Sequence, residues 1–247
     1  MTTILITGVT SYIGLNVARH LQNQGHDIHA LVRPTTNMDR FLDFELRPTV
    51  HVFDWDENRA QGALNGILKV ISPNVLVHLA GTYVNDHGFD DVSGLVADNI
   101  RFGTEILEAM RQSACDKIIC VGSYFQYADY ALPRATNLYA ATKLAFEEIL
   151  KFYADAYGIA AVKLVVFDTY GPGEWRPRLM PAIRQAQFEG LPLALVSENV
   201  WLDFLHIDDV CRAFEAVLGL LLTNDGKGRL DVYSLSSGRP VTLDDLI

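Results

Sequence analysis

The stretch ITGVTSYIG, residues Ile6–Gly14, decides how the rest of this sequence is interpreted. It follows a short apolar segment that is typical of a β-strand, and it leads into a helical pattern. A glycine-rich loop in that position is typical of dinucleotide sites, because the amino end of the helix offers free N–H groups to a pyrophosphate. Ser11 occupies the place of a middle glycine, so the loop alone leaves two interpretations open: a nucleotide-binding loop or an ordinary tight turn.

Beyond the loop, apolar strand-like segments alternate with helical segments. The strand-like segments read TILITG, DIHALVR, TVHVFDW, NVLVHLAG, KIICVGS and AAVKLVVFDTYG. The helical ones are IGLNVARHLQNQG and residues 61–71, 94–113 and 139–157. Because continuously apolar strands are buried on both faces, this order predicts an α/β fold, a doubly wound parallel sheet of the Rossmann type. Ligands of such a sheet bind at the carboxyl ends of its strands.

The pattern changes after the segment TYGPG, residues 169–173. A helix from about Met180 to Glu189 is followed by the segments LPLALVSE, WLDFLHIDDV and VYSLSSGRPVTLDDLI. We predict a dinucleotide-binding domain over residues 1–170 and a small C-terminal substrate cap, interleaved with the sheet, over residues 171–247. The last residues, TLDDLI, read as the opening turn of another helix, so either the cap is minimal or the chain is cut short.

Composition excludes several classes of protein. The net charge of −10 argues against a general nucleic-acid binder, which needs a basic face. No apolar run approaches the roughly 18 residues of a membrane span, and the first residues lack the basic region of a signal peptide. Three cysteines and the scattered histidines His78, His87 and His206 predict no metal site. We expect a cytoplasmic protein with reduced cysteines.

The end of the second strand indicates which cofactor fits. An acidic residue there would bind the ribose diol of NAD, but the strand ends in HALVRPTT without one. The guanidinium of Arg33 can pair with a 2′-phosphate, which favours NADP(H), while NAD(H) stays possible and Arg33 can also be a solvated surface residue. Asp54, after the third strand, is either a contact to the adenine end or a simple turn residue.

A second set of residues indicates proton-transfer chemistry. Tyr139 and Lys143 in LYAATKLAFEEIL lie one helical turn apart on one face. At ~4 Å, an ammonium favours the phenolate by roughly 4 kcal/mol at an effective dielectric of ~20, which lowers the pKa of the phenol. Ser123 ends the fifth strand at the ligand edge of the sheet, where its hydroxyl can orient a reacting oxygen beside the phenol. The alternatives to a catalytic site are that Ser123 is an ordinary turn residue and that Tyr139 and Lys143 are exposed on the surface of a helix.

These motifs and several others follow one another in a defined order. They are TGxxxxIG at residues 7–14, VHLAG at 77–81, DNIRFGTEILEA at 98–109, Ser123 four residues before Tyr127, YxxxK at 139–143, YGPG at 170–173 and DFLHIDDV at 203–210. Together they run through nearly the whole chain. The sequence resembles an extended short-chain dehydrogenase/reductase, of the NAD(P)-dependent epimerase/dehydratase family.

The resemblance implies roles for individual residues. It makes Tyr139 the general acid/base, Lys143 the residue that lowers its pKa and holds the nicotinamide ribose, and Ser123 the residue that positions the substrate oxygen. Asn99 braces the helix and strand behind the site. The implied cofactor contacts, besides Arg33, Asp54, Tyr139 and Lys143, are Gly8, Thr10, Ser11, Tyr12, Ile13, Gly14, Leu79, Ala80 and Gly81.

Departures from the family pattern narrow the expected reaction. Tyr124 and Phe125 follow Ser123 where dehydratases of the family carry Asp-Glu, so 4,6-dehydration is not expected. A usual arginine is replaced by Leu202 and a usual asparagine by Asp168, a candidate substrate residue. The missing positive charge can come from two further candidate substrate residues, which are Arg176 and Arg178.

The remaining pattern is similar to the branch that reduces nucleotide-linked 4-keto-6-deoxy sugars, as in the synthesis of CDP-abequose or CDP-paratose. We therefore expect NADPH-dependent reduction of a 4-keto group, with Tyr139 as proton donor. The alternatives are an NAD-dependent nucleotide-sugar epimerase, a reductase of a non-sugar ketone, and a non-catalytic NADP-binding sensor. The resemblance also implies a homodimer that pairs the helices around 94–113 and 139–157.

Overall fold

The computed structural model describes residues 1–54, 63–128, 132–190, 192, 201–223, 227–243 and 246. Those residues form nine strands: β1 (Thr3–Thr7), β2 (Asp27–Val32), β3 (Thr49–Val52), β4 (Val75–His78), β5 (Lys117–Ser123), β6 (Ala160–Val166), β7 (Asp168–Tyr170), β8 (Phe204–His206) and β9 (Arg229–Leu235). Their α-helices are α1 (Tyr12–Asn23), α2 (Asp39–Asp43), α3 (Ala63–Ile71), α4 (Asp91–Val96), α5 (Phe102–Arg111), α6 (Leu138–Tyr157), α7 (Leu179–Glu189) and α8 (Ile207–Thr223). A π-helical turn, Ala97–Arg101, joins α4 to α5, and a short 3₁₀ helix, Tyr124–Gln126, follows β5.

Seven of these strands form one parallel sheet in the order β3-β2-β1-β4-β5-β6-β9. The chain builds outward from β1 to β3, returns to the other side of β1 at β4, and continues from there to β9. The loops that leave β1 and β4 therefore diverge, which opens a crevice at their carboxyl ends. The predicted doubly wound parallel sheet is confirmed.

The alternation of side chains in the first strand shows why both faces of the sheet are covered. Ile4 and Ile6 belong to a buried cluster that includes Leu15 of α1 and Phe214 of α8. Leu5, between them, belongs to a second cluster, formed with residues of α3, α5 and α6. Because successive strand residues point to opposite faces, both clusters need apolar residues, which explains the continuously apolar strands.

The segment AAVKLVVFDTYG, predicted as one strand, forms two. The β6 strand ends at Val166, and the N–H of Phe167 still donates to the carbonyl of Leu235 at the end of β9. From Asp168 the chain leaves this sheet, and β7 pairs with β8 in a separate two-stranded parallel sheet. The partly exposed, polar Asp168 thus ends the apolar run, and from there the chain enters the second sheet.

The residues after 170 contribute to both parts of the molecule. β9 is the edge strand of the main sheet beside β6, whereas α7 and β8 lie outside that sheet. The division of the chain at residue 170 stays a prediction. Seven of the eight residues of the predicted segment LPLALVSE and three of the six residues of the terminal TLDDLI lie outside the described residues. Among the described helices, none combines the length and apolar character that crossing a membrane requires.

Candidate active site

The glycine loop lies where β1 and β4 end side by side. Gly8 has a φ of +68°, and a Cβ placed on it would lie 2.5 Å from the amide nitrogen of Ala80. A Cβ on Gly14 would lie 2.4 Å from the carbonyl oxygen of Gly8. Both positions therefore require glycine, the first for its backbone conformation and both for the close approach of main chain to main chain.

Ser11 occupies a position that does not require a glycine. Its φ of −71° and ψ of 161° are ordinary extended angles, and it is the N-cap of α1. Its Oγ accepts a hydrogen bond of 3.0 Å from the N–H of Gly14. The hydroxyl proton is still available to donate, so the serine caps the helix and keeps a donor at its amino end.

A first cavity of about 280 Å³ opens beside this loop. Seven of the predicted cofactor residues line it: Gly8, Thr10, Ser11, Arg33, Leu79, Ala80 and Gly81. Leu31, Phe53 and Phe102 contribute an apolar wall. The main chain at Gly8, which carries no side chain, and the amino end of the helix fit a pyrophosphate, and the apolar wall fits an adenosine. The side chain of Arg33 is exposed at the end of β2, where it borders this cavity.

Three of the predicted cofactor residues do not line either this cavity or the one described next: Tyr12, Gly14 and Asp54. The Tyr12 side chain is fully buried, and its hydroxyl donates to the carbonyl of Pro172 over 3.2 Å. Burial, with the nearby Glu174 carboxylate, raises the pKa of Tyr12 to about 12. Its side chain therefore connects the glycine loop to the GPGEW segment.

The carboxyl ends of β1 and β4 are also joined by buried polar side chains. Thr7 Oγ1 lies 2.8 Å from His78 Nδ1, and the N–H of Ala80 donates to Thr7 Oγ1 over 3.3 Å. Burial lowers the pKa of His78 to about 3, and Lys143 adds to this shift, so the imidazole is neutral. Within the described residues, no cluster of three His, Cys, Asp or Glu side chains has a geometry suited to a metal ion.

A second cavity of about 170 Å³ adjoins the first and shares Ser11, Leu79 and Gly81 with it. The three predicted catalytic residues, Ser123, Tyr139 and Lys143, line this cavity together with Ile13 and the three predicted substrate residues. Ser123 is the last residue of β5, and Tyr139 and Lys143 lie in the first two turns of α6. Asn137 caps that helix by accepting the N–H of Ala140 on its side-chain oxygen over 2.9 Å.

The pKa of Tyr139 differs from the one predicted from the sequence. Burial, with a contribution from Tyr83, raises the pKa of Tyr139 to about 12, against the lowering effects of Arg178 and of a hydrogen bond with Ser123. The Lys143 ammonium lies 5.9 Å from the centre of the Tyr139 ring. Burial lowers the pKa of Lys143 itself to about 8. The expected lowering of the Tyr139 pKa by Lys143 is therefore wrong for this structure, because desolvation dominates at both residues.

Asn99 joins three elements behind the second cavity. It lies in the π-helical turn and is buried. Its Oδ1 accepts the N–H of Thr82 over 2.8 Å, and its Nδ2 donates to the carbonyl of Thr82 and to Thr142 Oγ1. Thr142 Oγ1 in turn donates to the carbonyl of Tyr139 over 2.7 Å. The loop after β4 is thus fastened to the helix that carries the candidate acid.

Ser123 is fixed by a buried polar network that the sequence did not reveal. Its N–H donates to Gln126 Oε1 over 2.8 Å, and Gln126 Nε2 donates to Glu147 Oε2. Glu147 forms an ion pair with Lys163 of β6, and both side chains are buried. The single lysine in the apolar segment AAVKLVVF was the available signal, because a buried ammonium requires a carboxylate partner.

The predicted substrate residues differ in how strongly they are already engaged. Asp168 accepts the hydroxyl of Tyr124 over 2.9 Å, and burial raises the pKa of Asp168. Arg176 donates to Glu174 and, over 2.7 Å, to Thr169 Oγ1. By contrast, within the described residues no carboxylate lies at ion-pairing distance from Arg178.

Arg178 instead lies over the ring of Tyr83, with its guanidinium carbon 4.4 Å from the ring centre. Tyr83 lines the second cavity and contacts Tyr139 edge to face, with ring centres 4.9 Å apart. Sequence reasoning missed Tyr83. Its place two residues beyond the cofactor segment Leu79–Gly81, on a loop at the ligand edge, was the signal that could have found it.

The comparisons with known proteins agree with this geometry. A model of the NAD dependent epimerase/dehydratase family matches residues 4–229. The chain belongs to this family. The predicted family is confirmed.

Family members with similar sequences catalyse different reactions. UDP-glucuronate 4-epimerase 4 of Arabidopsis thaliana is 24% identical over 275 residues, with 99% of this chain and 62% of that protein covered. CDP-abequose synthase of Yersinia pseudotuberculosis is 23% identical over 181 residues, with 73% of this chain and 62% of that protein covered. The chain thus spans less than two thirds of the length of these curated relatives.

Solved structures share the fold. UDP-glucuronic acid 4-epimerase from Bacillus cereus, solved in complex with NAD, superposes with a TM-score of 0.81 at 24% identity. The match covers 99% of this chain and 81% of that chain. This likeness supports the same Rossmann-type architecture.

Proposed function

We propose that this protein reduces the 4-keto group of a nucleotide-linked 6-deoxyhexose with NADPH. The observation that carries the proposal is the convergence of Ser123, Tyr139 and Lys143 on one cavity, next to the cavity that fits a dinucleotide. The pKa of about 12 keeps the Tyr139 phenol protonated at neutral pH, which suits a proton donor in a reduction.

Each residue of the set then has a distinct task. Tyr139 donates its hydroxyl proton to the developing alkoxide oxygen, and Ser123 donates a hydrogen bond to the same oxygen. Lys143, behind the ring, supplies a cation to the ribose side of the site. A bound nicotinamide would supply the hydride, while the protein fixes geometry and protonation state.

The choice of NADP(H) is supported by Arg33. Its exposed side chain borders the first cavity at the end of β2, where an acidic residue for the ribose diol of NAD is missing. NAD(H) stays the alternative cofactor, because the Bacillus cereus neighbour was solved with NAD.

A deoxysugar substrate is supported by the wall of the second cavity. The rings of Phe125, Tyr124 and Phe167 stack in a row, with centres 4.3 Å and 5.2 Å apart. Such a wall suits the apolar face of a deoxygenated ring. Arg178, at the same cavity, is proposed to pair with the diphosphate of the nucleotide. CDP-abequose synthase among the relatives agrees with this substrate class.

The second candidate function is that of a nucleotide-sugar 4-epimerase that uses NAD. It is supported by the similarity to UDP-glucuronate 4-epimerases, over 99% of this chain. An epimerase first oxidises the sugar and therefore needs Tyr139 as a base, which its raised pKa disfavours.

The test is NADPH consumption with CDP-, dTDP-, GDP- and UDP-4-keto-6-deoxyhexoses, with simple ketones as a parallel panel. We expect consumption with at least one nucleotide sugar and slower turnover with NADH. Conversion of UDP-glucuronate without net NADPH consumption would establish the epimerase instead. Turnover of simple ketones alone would indicate a non-sugar reductase, and cofactor binding without any turnover would indicate a sensor.

We also propose a homodimer that pairs the helices around 94–113 and 139–157. The exposed apolar side chains of Val96 and Phe152, on these segments, support it. Light scattering at several protein concentrations tests it. A mass of one chain at all concentrations would refute the dimer.

A further inference from the structure

Tyr83 lines the second cavity, yet the function proposed above gives it no role. It belongs to the loop after β4, two residues beyond Gly81, and 38% of its surface is exposed. Within the part of the chain that the structure describes, its hydroxyl makes a single long contact, of 3.4 Å to Asn85. The ring, rather than the hydroxyl, makes the close contacts.

Three side chains surround this ring. The Arg178 guanidinium lies over it at 4.4 Å, and the Tyr139 ring meets it at an interplanar angle of 79° with centres 4.9 Å apart. Phe125 lies nearly parallel to it, at 28° and 6.1 Å. Tyr83 thereby connects a cation of the cap region to the candidate acid on α6.

We infer that Tyr83 is a positioning residue for proton transfer: its ring holds Tyr139 in orientation and fixes Arg178 beside it. The inference rests on the proposed function, in which Tyr139 donates the proton. The edge-to-face contact with Tyr83 restrains the orientation of the Tyr139 ring. The cation–π contact with Tyr83 holds the Arg178 guanidinium in place without neutralising its charge, as a carboxylate would.

The position of Arg178 matters because of the charges that face Tyr139. Lys143 lies on the same helix as Tyr139, Ser123 lies on β5, and Arg178 approaches from the cap side. Of these, Arg178 is the cation that lowers the pKa of Tyr139. Without the Tyr83 ring beneath it, Arg178 can turn toward the Asp168 carboxylate in the same cavity, which would remove its effect on the phenol.

The experiment compares Tyr83→Leu with Tyr83→Phe, which keeps the ring and loses only the hydroxyl. Phe188→Leu, at an aromatic side chain 90% exposed on α7, is the matched control outside the site. Each full-length variant is assayed with NADPH and CDP-4-keto-6-deoxyglucose in H₂O and D₂O across pH, or with the best substrate of the screen. NADPH affinity and melting temperature are measured in parallel.

We expect Tyr83→Leu to lower kcat about 10-fold with a larger solvent isotope effect, and to raise KM because Arg178 is also proposed to pair with the diphosphate. Tyr83→Phe and Phe188→Leu are expected to match the parent protein, and NADPH affinity to stay unchanged in all three. A parental kcat and isotope effect in Tyr83→Leu would overturn the inference, as would equal losses in Tyr83→Leu and Tyr83→Phe. Tyr139→Phe, assayed alongside, distinguishes a failure of this inference from a failure of the proposed function, because retained activity in Tyr139→Phe would overturn the proposed function itself.

Discussion

The first cavity depends on close backbone packing at its glycine loop, whereas the second brings together reactive side chains from several elements. At Gly8 and Ala80 the shape of the first cavity depends on two main-chain segments that pack too closely to leave room for a Cβ on residue 8. Around Tyr139, by contrast, side chains from the loop after β4, from β5, from α6 and from the segment after β7 converge. Altering a residue in the first cavity should therefore change cofactor binding and stability, whereas altering one in the second should change the chemical step.

The largest effect is expected for Tyr139→Phe in the second cavity. Loss of the phenolic proton should lower kcat by about 10²- to 10⁴-fold, the usual range for a general acid. The affinity for NADPH, measured by fluorescence, should change little, because the first cavity is untouched. An equal loss of cofactor affinity would contradict the division of tasks between the two cavities.

In the second cavity, the buried ammonium of Lys143 should lower the free energy of unfolding by an amount that depends on pH. Burial lowers the pKa of Lys143 from 10.5 to about 8, so below pH 8 the folded protein bears the full cost of a buried ammonium. Above that pH the folded state loses the proton before the unfolded chain does, and the cost is relieved. The unfolding free energy of the parent, relative to Lys143→Met, should rise by about 2 kcal/mol between pH 7 and pH 10.

Urea titrations of both proteins at each pH measure this difference. Other titrating groups cancel because they are common to the two proteins. A difference that stays constant with pH would show that Lys143 is solvated in the folded protein.

The first cavity is tested by Gly8→Ala against Gly25→Ala. Both glycines have positive φ, 68° and 84°, but nothing lies within 4 Å of a Cβ on Gly25. The strain is therefore shared, and only Gly8→Ala adds the clash with Ala80. We expect Gly8→Ala to lose about 1–3 kcal/mol more stability than Gly25→Ala, and to bind NADPH more weakly. Equal losses would mean that the loop yields without cost.

The smallest effect is expected for Arg33→Ala at the exposed edge of the first cavity. Loss of a charge-assisted contact to the 2′-phosphate should reduce the preference for NADPH over NADH about 10-fold, with kcat nearly unchanged. The ratio of kcat/KM for the two cofactors is the measurement. An unchanged ratio would assign Arg33 to the solvated surface.

The contrast between the cavities also explains what could be predicted from sequence. The strand order, the glycine loop and the placement of Ser123, Tyr139 and Lys143 follow from local patterns, because each strand ends at the same edge of the sheet. The break at Phe167 could not be predicted, since it depends on the pairing of β7 with β8, which is distant in sequence. The pKa of Tyr139 was predicted in the wrong direction, because the spacing of two residues contains no information about burial.

The engagement of Arg176 illustrates the same limit. Its partner Glu174 is two residues away, yet a sequence gives no reason to choose that partner over a ligand. Tyr83 and the Gln126–Glu147–Lys163 network depend on contacts between segments far apart in the chain. The roles of all these site residues stay predictions until the variants are measured.

The buried pair of Glu147 and Lys163 has a consequence for how the chain finds its fold. Lys163 points from β6 toward α6, where Glu147 meets it. If β6 slipped by one residue against its neighbours, the lysine would point to the opposite face of the sheet, among apolar side chains. Lys163 would then be a buried charge without a carboxylate, at a cost of several kcal/mol, and Glu147 would keep only its ion pair with Lys151. The apolar residues of β6 would tolerate such a slip, so the pair of Glu147 and Lys163 favours the native register of β6 over a shifted one.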